Sequence, residues 1–408
     1  MIAIRQKTTL ALGWLVPALF LLFPIAMGLS NVVLLLVLIG FAVTFSVDYL
    51  KRAAWSWPAI WLLALFGVVL IGTLYTPAPW SWVSVNLGKY AKFVYAAALM
   101  LLFVRFPQWQ KRALWAFVGA MLFILASTWL NVWFVLPWSA TKTPGWGLSH
   151  HVFGDYITQN VMVSFLVVFA LSKVQRPLRS RISLFWLGVA VLGAVSITHL
   201  SSGRTGVVLL LAGLVSYMLV RWGGKQLWIG LPVLVLLVAG VLASSSVMRD
   251  RIALGWMEFA KRDVDVMSSI GHRAYNYRIV PQLIAESPIV GHGTGAYHTE
   301  ICRFIDKPEW CDIFRWHSHN QFLFFGADHG LVGMLLYVAL LVSLYRVAKG
   351  SDHAQGKVLL ASLVSILLVD SMINTPLFSS RESHFFLFMM ALLVAMNHRA
   401  KSQSLGSN

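Results

Sequence analysis

The chain has 408 residues, of which 58% are hydrophobic and only 12% are charged. Its mean hydropathy of +0.74 excludes an ordinary soluble domain, because most apolar runs have the roughly 17–25 residues that an α-helix needs to cross the hydrocarbon of a bilayer. The net charge of +17 does not indicate nucleic-acid binding, because the basic residues are distributed in step with the apolar runs.

Twelve apolar segments predict an all-α, polytopic integral membrane protein with about twelve transmembrane helices. The first segment follows Arg5 and Lys7 but lacks a small-residue cleavage site, so we interpret it as a retained helix and not as a signal peptide. The predicted spans are residues 9–27, 31–47, 56–74, 86–104, 113–134, 156–173, 182–198, 204–220, 226–243, 319–345, 357–374 and 382–397.

The basic residues indicate how these spans are oriented. Connections rich in lysine and arginine alternate with connections that hold few, which is the positive-inside asymmetry and predicts that both termini are cytoplasmic. The same alternation places residues 244–318 on the outer side. The basic connections contain Lys51, Arg52, Arg105, Lys111, Arg112, Lys173, Arg176, Arg179, Arg181, Arg221, Lys225, Arg346, Lys349, Lys357, Arg399 and Lys401.

The chain divides into three parts. Residues 1–243 hold transmembrane helices 1–9, residues 244–318 form a long external loop between spans 9 and 10, and residues 319–408 hold helices 10–12 and a tail. Helical periodicity at residues 247–260 and 270–286 predicts two amphipathic helices at the outer membrane surface, followed by irregular loop.

Both cysteines of the chain, Cys302 and Cys311, fall in the external loop. Two nearby cysteines in an oxidising compartment favour a disulfide, and a metal site would need more ligands. Asp263 and Asp265 are flanked by Lys261 and Arg262 and have no further ligand at suitable spacing, so they indicate surface ion pairs. The sequence therefore predicts no metal and no cofactor.

Two lysines lie on the outer side of the fourth span, against the charge asymmetry. Lys89 and Lys92 are three residues apart and so share a helix face, from which they could bind anionic lipid phosphates. Generic anchoring to lipid head groups explains them equally well. Asn160, near the outer end of the sixth span, is a further candidate for a supporting role.

Two arginines are candidates for binding an anionic group. Arg204 is the only charge in a short external turn, and an arginine at membrane depth usually faces a cavity, a partner or a ligand. The small residues around it would let an anionic group approach the backbone. Arg273 lies in the second amphipathic helix. Two guanidiniums from different segments suit a diphosphate, because each can bind phosphoryl oxygens in a bidentate manner. The open alternatives are snorkelling for Arg204 and, for Arg278 on the same helix as Arg273, a solvated face.

The segment Arg315-Trp316-His317-Ser318-His319-Asn320 concentrates polar groups where the external loop meets a long apolar helix. We expect His319 to begin that helix with Ser318 as its cap, so that the helix dipole keeps the imidazole neutral and able to act as a general base. The alternative is that His319 only hydrogen-bonds neighbouring backbone. His317 and Asn320 could support it.

One carboxylate, Asp370, lies in the outer half of the eleventh span. An ionisable group within a membrane is a functional candidate by default. A structural contact with Arg204 and a direct role in the site both remain open.

In this order and topology the chain resembles the O-antigen ligase/polymerase family of bacterial surface-polysaccharide assembly. The similarity covers roughly residues 150–345. Its features are Ser202-Gly203-Arg204-Thr205-Gly206 at the start of a span, Arg273 followed by Pro288 and the Gly291-x-Gly293-x-Gly295 turn, His317-Ser318-His319-Asn320 at the end of the external loop, and about twelve spans.

The resemblance implies a metal-independent, inverting membrane glycosyltransferase in the bacterial inner membrane, with its active site facing the periplasm. The donor would be a glycan on undecaprenyl diphosphate and the acceptor a sugar hydroxyl of lipid A–core. His319 would be the general base, and Arg204 and Arg273 would hold the diphosphate leaving group. We expect a monomer that binds no nucleic acid.

Three other functions remain open at this stage. Within the family, an O-antigen polymerase or a protein O-oligosaccharyltransferase would carry the same features. Outside it, a lipid or polysaccharide transporter would also be polytopic, but transporters typically contain internal repeats and broken midplane helices, which this sequence does not display.

Overall fold

The computed structural model describes residues 2–46, 50, 55–175, 177–222, 224–246, 249–250, 253 and 266–398, and all regular elements among them are helices. The all-α prediction is confirmed. The helices are α1 Ile2–Leu22, α2 Met27–Thr44, α3 Trp57–Gly72, α4 Trp80–Tyr90, α5 Lys92–Arg105, α6 Gln108–Leu130, α7 Tyr156–Lys173, α8 Arg181–His199, α9 Arg204–Arg221, α10 Gly224–Ser244, α11 Ser269–Glu286, α12 Tyr297–Glu300, α13 Cys311–Phe314, α14 Gln321–Lys349, α15 Ala354–Ile373 and α16 Ser380–Met396.

Each of the twelve predicted spans overlaps one of these helices. In the described part of the chain, nine helical segments are long and apolar enough to cross a bilayer, with α4 and α5 together forming one of them. Three further helices, α1, α3 and α16, coincide with the first, third and twelfth predicted spans. The protein is therefore a polytopic membrane protein.

The centre of the bundle is α16, which is buried along almost its whole length from Glu382 to Ala395. It packs against α5, while α9 packs against α15 and α1 against α6. At the other extreme, α10 exposes large apolar side chains such as Trp228 (84% exposed) and Leu236 (70%). Such a helix requires an apolar surrounding, which a bilayer supplies.

The external loop is more ordered than the sequence predicts. The helix predicted at residues 270–286 is α11, whereas residues 247–260 and the Asp263–Asp265 pair lie largely or wholly outside the described residues. The stretch expected to be irregular up to Trp316 instead forms four short helical turns, α12, Ile301–Phe304, Pro308–Trp310 and α13. A disulfide joins Cys302 to Cys311 within it and holds these turns together.

A glycine turn fastens this loop to the bundle. Helix α14 is interrupted at Gly330, whose φ of 59° is non-helical, and residues 288–295 occupy the break. The Gly293 N–H donates to the carbonyl of Asp328 (2.8 Å), and the Asp328 carboxylate accepts the N–H groups of Gly295 (3.0 Å) and Tyr297 (2.8 Å). The turn thus satisfies backbone groups that the break would otherwise leave unpaired.

Replacing Gly291 with Ala is expected to prevent this fit. Gly291 has a φ of 69°, and a Cβ there would lie 2.4 Å from the backbone nitrogen of His329. Because both the φ angle and the backbone contact are unfavourable, we expect a loss of roughly 2–5 kcal/mol in the free energy of unfolding. Thermal melting of the detergent-solubilised protein would measure it. Gly119→Ala, in a helix with nothing within 4 Å of the added Cβ, is the matched control. Equal melting temperatures would contradict the account.

Candidate active site

Three helix N-termini meet around one cavity of about 310 Å³ at one end of the bundle. Asp155 and Thr158 belong to the start of α7, His317 and His319 precede α14, and Glu382 lies in the first turn of α16. Exposed N–H groups give helix N-termini partial positive charge, which favours anions. The cavity therefore combines imidazoles with the partial positive charge of helix N-termini and with the carboxyl groups of Asp155 and Glu382.

The local structure around His319 differs from the expectation. Helix α14 begins at Gln321, and its cap is Asn320, whose Oδ1 accepts the N–H of Leu323 (3.0 Å). Ser318 is buried and donates its hydroxyl to the carbonyl of Asn320 (2.7 Å), so the predicted Ser318 cap is wrong. His319 precedes the helix and has a φ of 51°, which directs its side chain away from the helix axis and into the cavity lining.

The hydrogen-bonded pair of Asn374 and Asp370 lies beside the His319 ring. The Nδ1 of His319 is buried without a hydrogen-bond partner among the described residues, and the Asn374 side chain lies close enough to raise the pKa of the imidazole slightly against the larger lowering effects. Asn374 donates its Nδ2 to Oδ1 of Asp370 (2.8 Å), which leaves the Asn374 oxygen as the atom available to the His319 ring. This arrangement favours the tautomer with its proton on Nε2 and a lone pair on Nδ1.

His319 is neutral at physiological pH for a reason other than the helix dipole. Burial, followed by the nearby His317 and Arg273, lowers the pKa of the His319 imidazole to about 2. Burial and Arg273 also lower the pKa of His317, to about 4. The two rings lie 4.1 Å apart between centroids, and Nδ1 of His317 accepts the backbone N–H of His319 (3.3 Å).

Arg273 lies beside the two histidines. Its Nε donates to the carbonyl of Ile373 at the end of α15 (2.9 Å), and its charge acts on both His317 and His319. Burial and then the positive charge of Arg204 lower the pKa of Arg273, so the two guanidiniums are close enough to repel each other. An anion between them would relieve that repulsion.

The turn before Arg204 is built by close helix packing. A Cβ at Gly203 would lie 2.9 Å from the ring of Tyr156, and one at Gly206 would lie 2.6 Å from Nδ2 of Asn160. Asn160 also donates to Oγ of Ser201 (2.7 Å). Gly203 and Gly206 therefore allow α7 to pack closely, and they do not provide space for an anionic ligand. Asn160 supports the turn that carries Arg204.

Other predicted residues have distinct positions. Asn320 donates its Nδ2 to the hydroxyl of Tyr277 (2.7 Å) and so ties the histidine segment to α11. Lys89 lines the cavity, whereas Lys92 is buried beside it against the start of α16. Arg278 is not brought into the cavity: it is exposed and forms an ion pair with Asp306 (2.5 Å).

Sequence reasoning missed two residues of the site. Glu382 is 4% exposed, lines the cavity and lies within electrostatic reach of Asp155 and Asp370. His272 lies 6.0 Å from His319 between ring centroids. Glu382 is the first residue of the twelfth predicted span. An ionisable group within a membrane is a functional candidate by default, and this applies to Glu382 as it does to Asp370. For His272 the sequence carried no signal beyond its place next to Arg273.

The fold and the cavity define a multi-pass membrane protein with a buried histidine–arginine site at one end of its helices. Residues 197–338 match the family described as O-antigen ligase. The match confirms, for this region, the family resemblance drawn from the sequence, and it contains Arg204, Arg273, His317 and His319. Over this region the chain is therefore similar to the O-antigen ligase family, which suggests a membrane glycosyltransferase-like enzyme.

Among solved structures, the following one has a similar fold. It is a chain from "Structural coordination of polymerization and crosslinking by a peptidoglycan synthase complex", and it is 17% identical with a TM-score of 0.50, covering 86% of this chain and 99% of that one. At this identity the likeness is one of fold alone. None of the curated proteins matches this chain.

Proposed function

We propose that this protein transfers O-antigen polysaccharide from undecaprenyl diphosphate to a sugar hydroxyl of lipid A–core, at the periplasmic face of the bacterial inner membrane. The observation that carries the proposal is that a neutral His319 with an unpaired, buried Nδ1 lines a cavity at helix N-termini and lies within the electrostatic influence of Arg273. A base and an anion-binding group are the two elements that a displacement at a diphosphate-linked sugar requires.

The reaction is an inverting displacement. Nδ1 of His319 takes the proton of the acceptor hydroxyl as that oxygen attacks the anomeric carbon, and the bond to the diphosphate breaks on the opposite side. Arg204 and Arg273 stabilise the charge that develops on the leaving diphosphate. The acceptor must displace the side chains that cover Nδ1, since this atom is buried in the absence of substrate.

Asp370 and Asn374 act through His319 and are positioning residues. Asp370 is fully buried and orients the Asn374 amide, whose oxygen holds the Nε2 proton of His319. The arrangement keeps one tautomer and stabilises the imidazolium that forms during the reaction.

Donor binding also adjusts the strength of the base. A pKa of about 2 makes substrate-free His319 a weak base, and the charge of Arg273 contributes to that low value. When a diphosphate neutralises Arg273, one of the influences that lower this pKa is removed, so the pKa of His319 rises although burial still lowers it. His319 is therefore a stronger base with a donor bound than without one.

Reconstitution tests this function against its relatives. The purified protein in nanodiscs is expected to convert lipid A–core and a multi-repeat undecaprenyl-diphosphate glycan into lipid A–core carrying the whole glycan, as measured by mass spectrometry. Growth of the lipid-linked glycan without transfer to lipid A–core would show a polymerase. Transfer only to an added pilin-like protein would show the protein-directed enzyme, and movement of lipid without bond formation would show a transporter.

A further inference from the structure

A second cavity, of about 480 Å³, lies next to the site between α2, α4, α5 and α16. One wall is apolar and includes Leu34, Leu35 and Leu38, and the opposite wall carries Lys89 and Lys92. Lys89 lines this groove and the His319 cavity alike, so the two spaces share a border. We call this second cavity the lysine groove.

The groups that accept hydrogen bonds from the two lysines of the lysine groove are neutral. Lys92 is 6% exposed, and its Nζ donates to Oγ of Ser383 (2.5 Å) and the carbonyl of Ser380 (3.5 Å). Nζ of Lys89 donates to Oγ of Ser380. Among the ion pairs of the described residues, none involves either lysine. A buried ammonium within a membrane span that meets only hydroxyl and carbonyl oxygens favours an anionic ligand.

The apolar wall indicates that this ligand has a hydrocarbon chain. Leu34 and Leu38 lie one helical turn apart on the same face of α2, where Leu34 is buried, and Leu35 beside them is 58% exposed. Because α2 crosses the membrane, the groove opens towards lipid at Leu35. An anionic head against lysine and a chain against leucine together describe a phosphorylated lipid.

The position of the lysine groove favours the acceptor over the donor. Arg273 is fixed at the end of α15 by Ile373, whereas Lys89 lies over the ring of Phe378 (5.4 Å) at the start of α16. The cavity around His319 is lined by Lys89 but by neither Arg204 nor Arg273. In an inverting displacement the nucleophile and the leaving group occupy opposite sides of the reacting carbon. Two separate positive centres therefore fit two anionic lipid substrates.

We propose that the lysine groove binds a phosphate of the acceptor glycolipid through Lys89 and Lys92, with an acyl chain against Leu34, Leu35 and Leu38. This inference rests on the proposed function. The inference adds a separate acceptor site to that function, and this site brings the acceptor sugar to His319 from the side of Lys89.

Binding measurements test the site without any transfer reaction. The full chain in nanodiscs is titrated with bisphosphorylated lipid A and with enzymatically dephosphorylated lipid A, and bound lipid is counted by native mass spectrometry. Lys89→Ala and Lys92→Met should each weaken binding of the phosphorylated lipid about 10- to 100-fold and leave the dephosphorylated lipid unaffected. Lys92→Met keeps an unbranched stem in the buried position. Lys142→Ala, an exposed lysine in the connection between α6 and α7, is the matched control.

The outcomes separate this inference from the proposed function. Equal binding of both lipids, or unchanged binding by both variants with native melting temperatures, overturns the site. Displacement of lipid A by undecaprenyl phosphate, with the variants losing that lipid instead, assigns the groove to the donor and also overturns it. If lipid A binding depends on the lysines but the reconstituted reaction shows no transfer, the site is supported and the ligase function is contradicted.

Discussion

His319→Ala is expected to lower the rate of glycan transfer at least 10²- to 10⁴-fold, the range that a general base typically contributes. The reason is that the Nδ1 of His319 is unpaired among the described residues, and its ring lines the cavity within the electrostatic influence of Arg273. The measurement is single-turnover transfer by protein in nanodiscs with both lipid substrates saturating. His398→Ala, at the exposed end of α16, is the matched control.

His319→Gln separates chemistry from folding. Glutamine can occupy the position and hydrogen-bond to Asn374, but it has no basic lone pair, so it should be as inactive as Ala while keeping the melting temperature and donor affinity of the native protein. Native transfer rates in either variant would refute the assignment of the base.

The pH dependence provides an independent check on the same residue. In free enzyme the pKa of His319 lies far below its ordinary value, at about 2, so the base stays neutral and kcat/KM should remain level as the pH is lowered towards about 5. With donor bound the pKa is raised, so kcat should decline at a higher pH than kcat/KM does. If kcat and kcat/KM declined at the same acidic pH, the result would contradict the coupling of base strength to donor binding.

Arg273→Lys is expected to lower kcat/KM for the donor about 10²- to 10³-fold, a loss comparable to the removal of one oxyanion-stabilising group. Lysine keeps the charge but cannot bind two phosphoryl oxygens through one planar group, nor donate an Nε–H to Ile373 as Arg273 does. Donor affinity and transfer rate are measured on the same preparation.

Helix α11 supplies a matched control for this change. Arg278→Lys, five residues further along, alters an exposed arginine that pairs with Asp306, and it should leave both parameters within about twofold of native. Equal effects of the two substitutions would show that Arg273 does not bind the leaving group. Arg204→Lys should resemble Arg273→Lys, because we propose that both guanidiniums stabilise the leaving diphosphate, and the charge of Arg204 acts on Arg273.

At residues 317–320 the sequence predicts the candidate base but not the residue that caps the following helix. The concentration of polar groups at a membrane boundary was enough to select His319, because such groups are costly there without a role. The cap was assigned to Ser318, although Asn320 has an equally suitable side chain and performs that function. Local sequence could not decide between them, since the choice depends on Tyr277 and Met372, which hold Asn320 from other helices.

Arg273 and Arg278 lie on a single helix, and they too differ for a reason that local sequence does not contain. Both are arginines on the predicted second amphipathic helix; the sequence favours a ligand role for Arg273 and leaves a solvated face open for Arg278. The structure separates them because Arg273 meets the end of α15, whereas Arg278 meets Asp306 in the loop. The rotation of α11 against the bundle makes that distinction, and rotation follows from packing.

The sequence by itself determined that this is an all-α membrane protein, where its spans lie, and which residue types could bear chemistry, because span length, charge asymmetry and the cost of intramembrane polar groups are local properties. Only the tertiary structure decided that His319 lies beside the hydrogen-bonded pair of Asn374 and Asp370, that Glu382 lines the same cavity, and that Lys89 borders two cavities. These residues belong to different helices, and their meeting depends on how antiparallel helices pack and on the glycine turn that fastens the external loop across their ends.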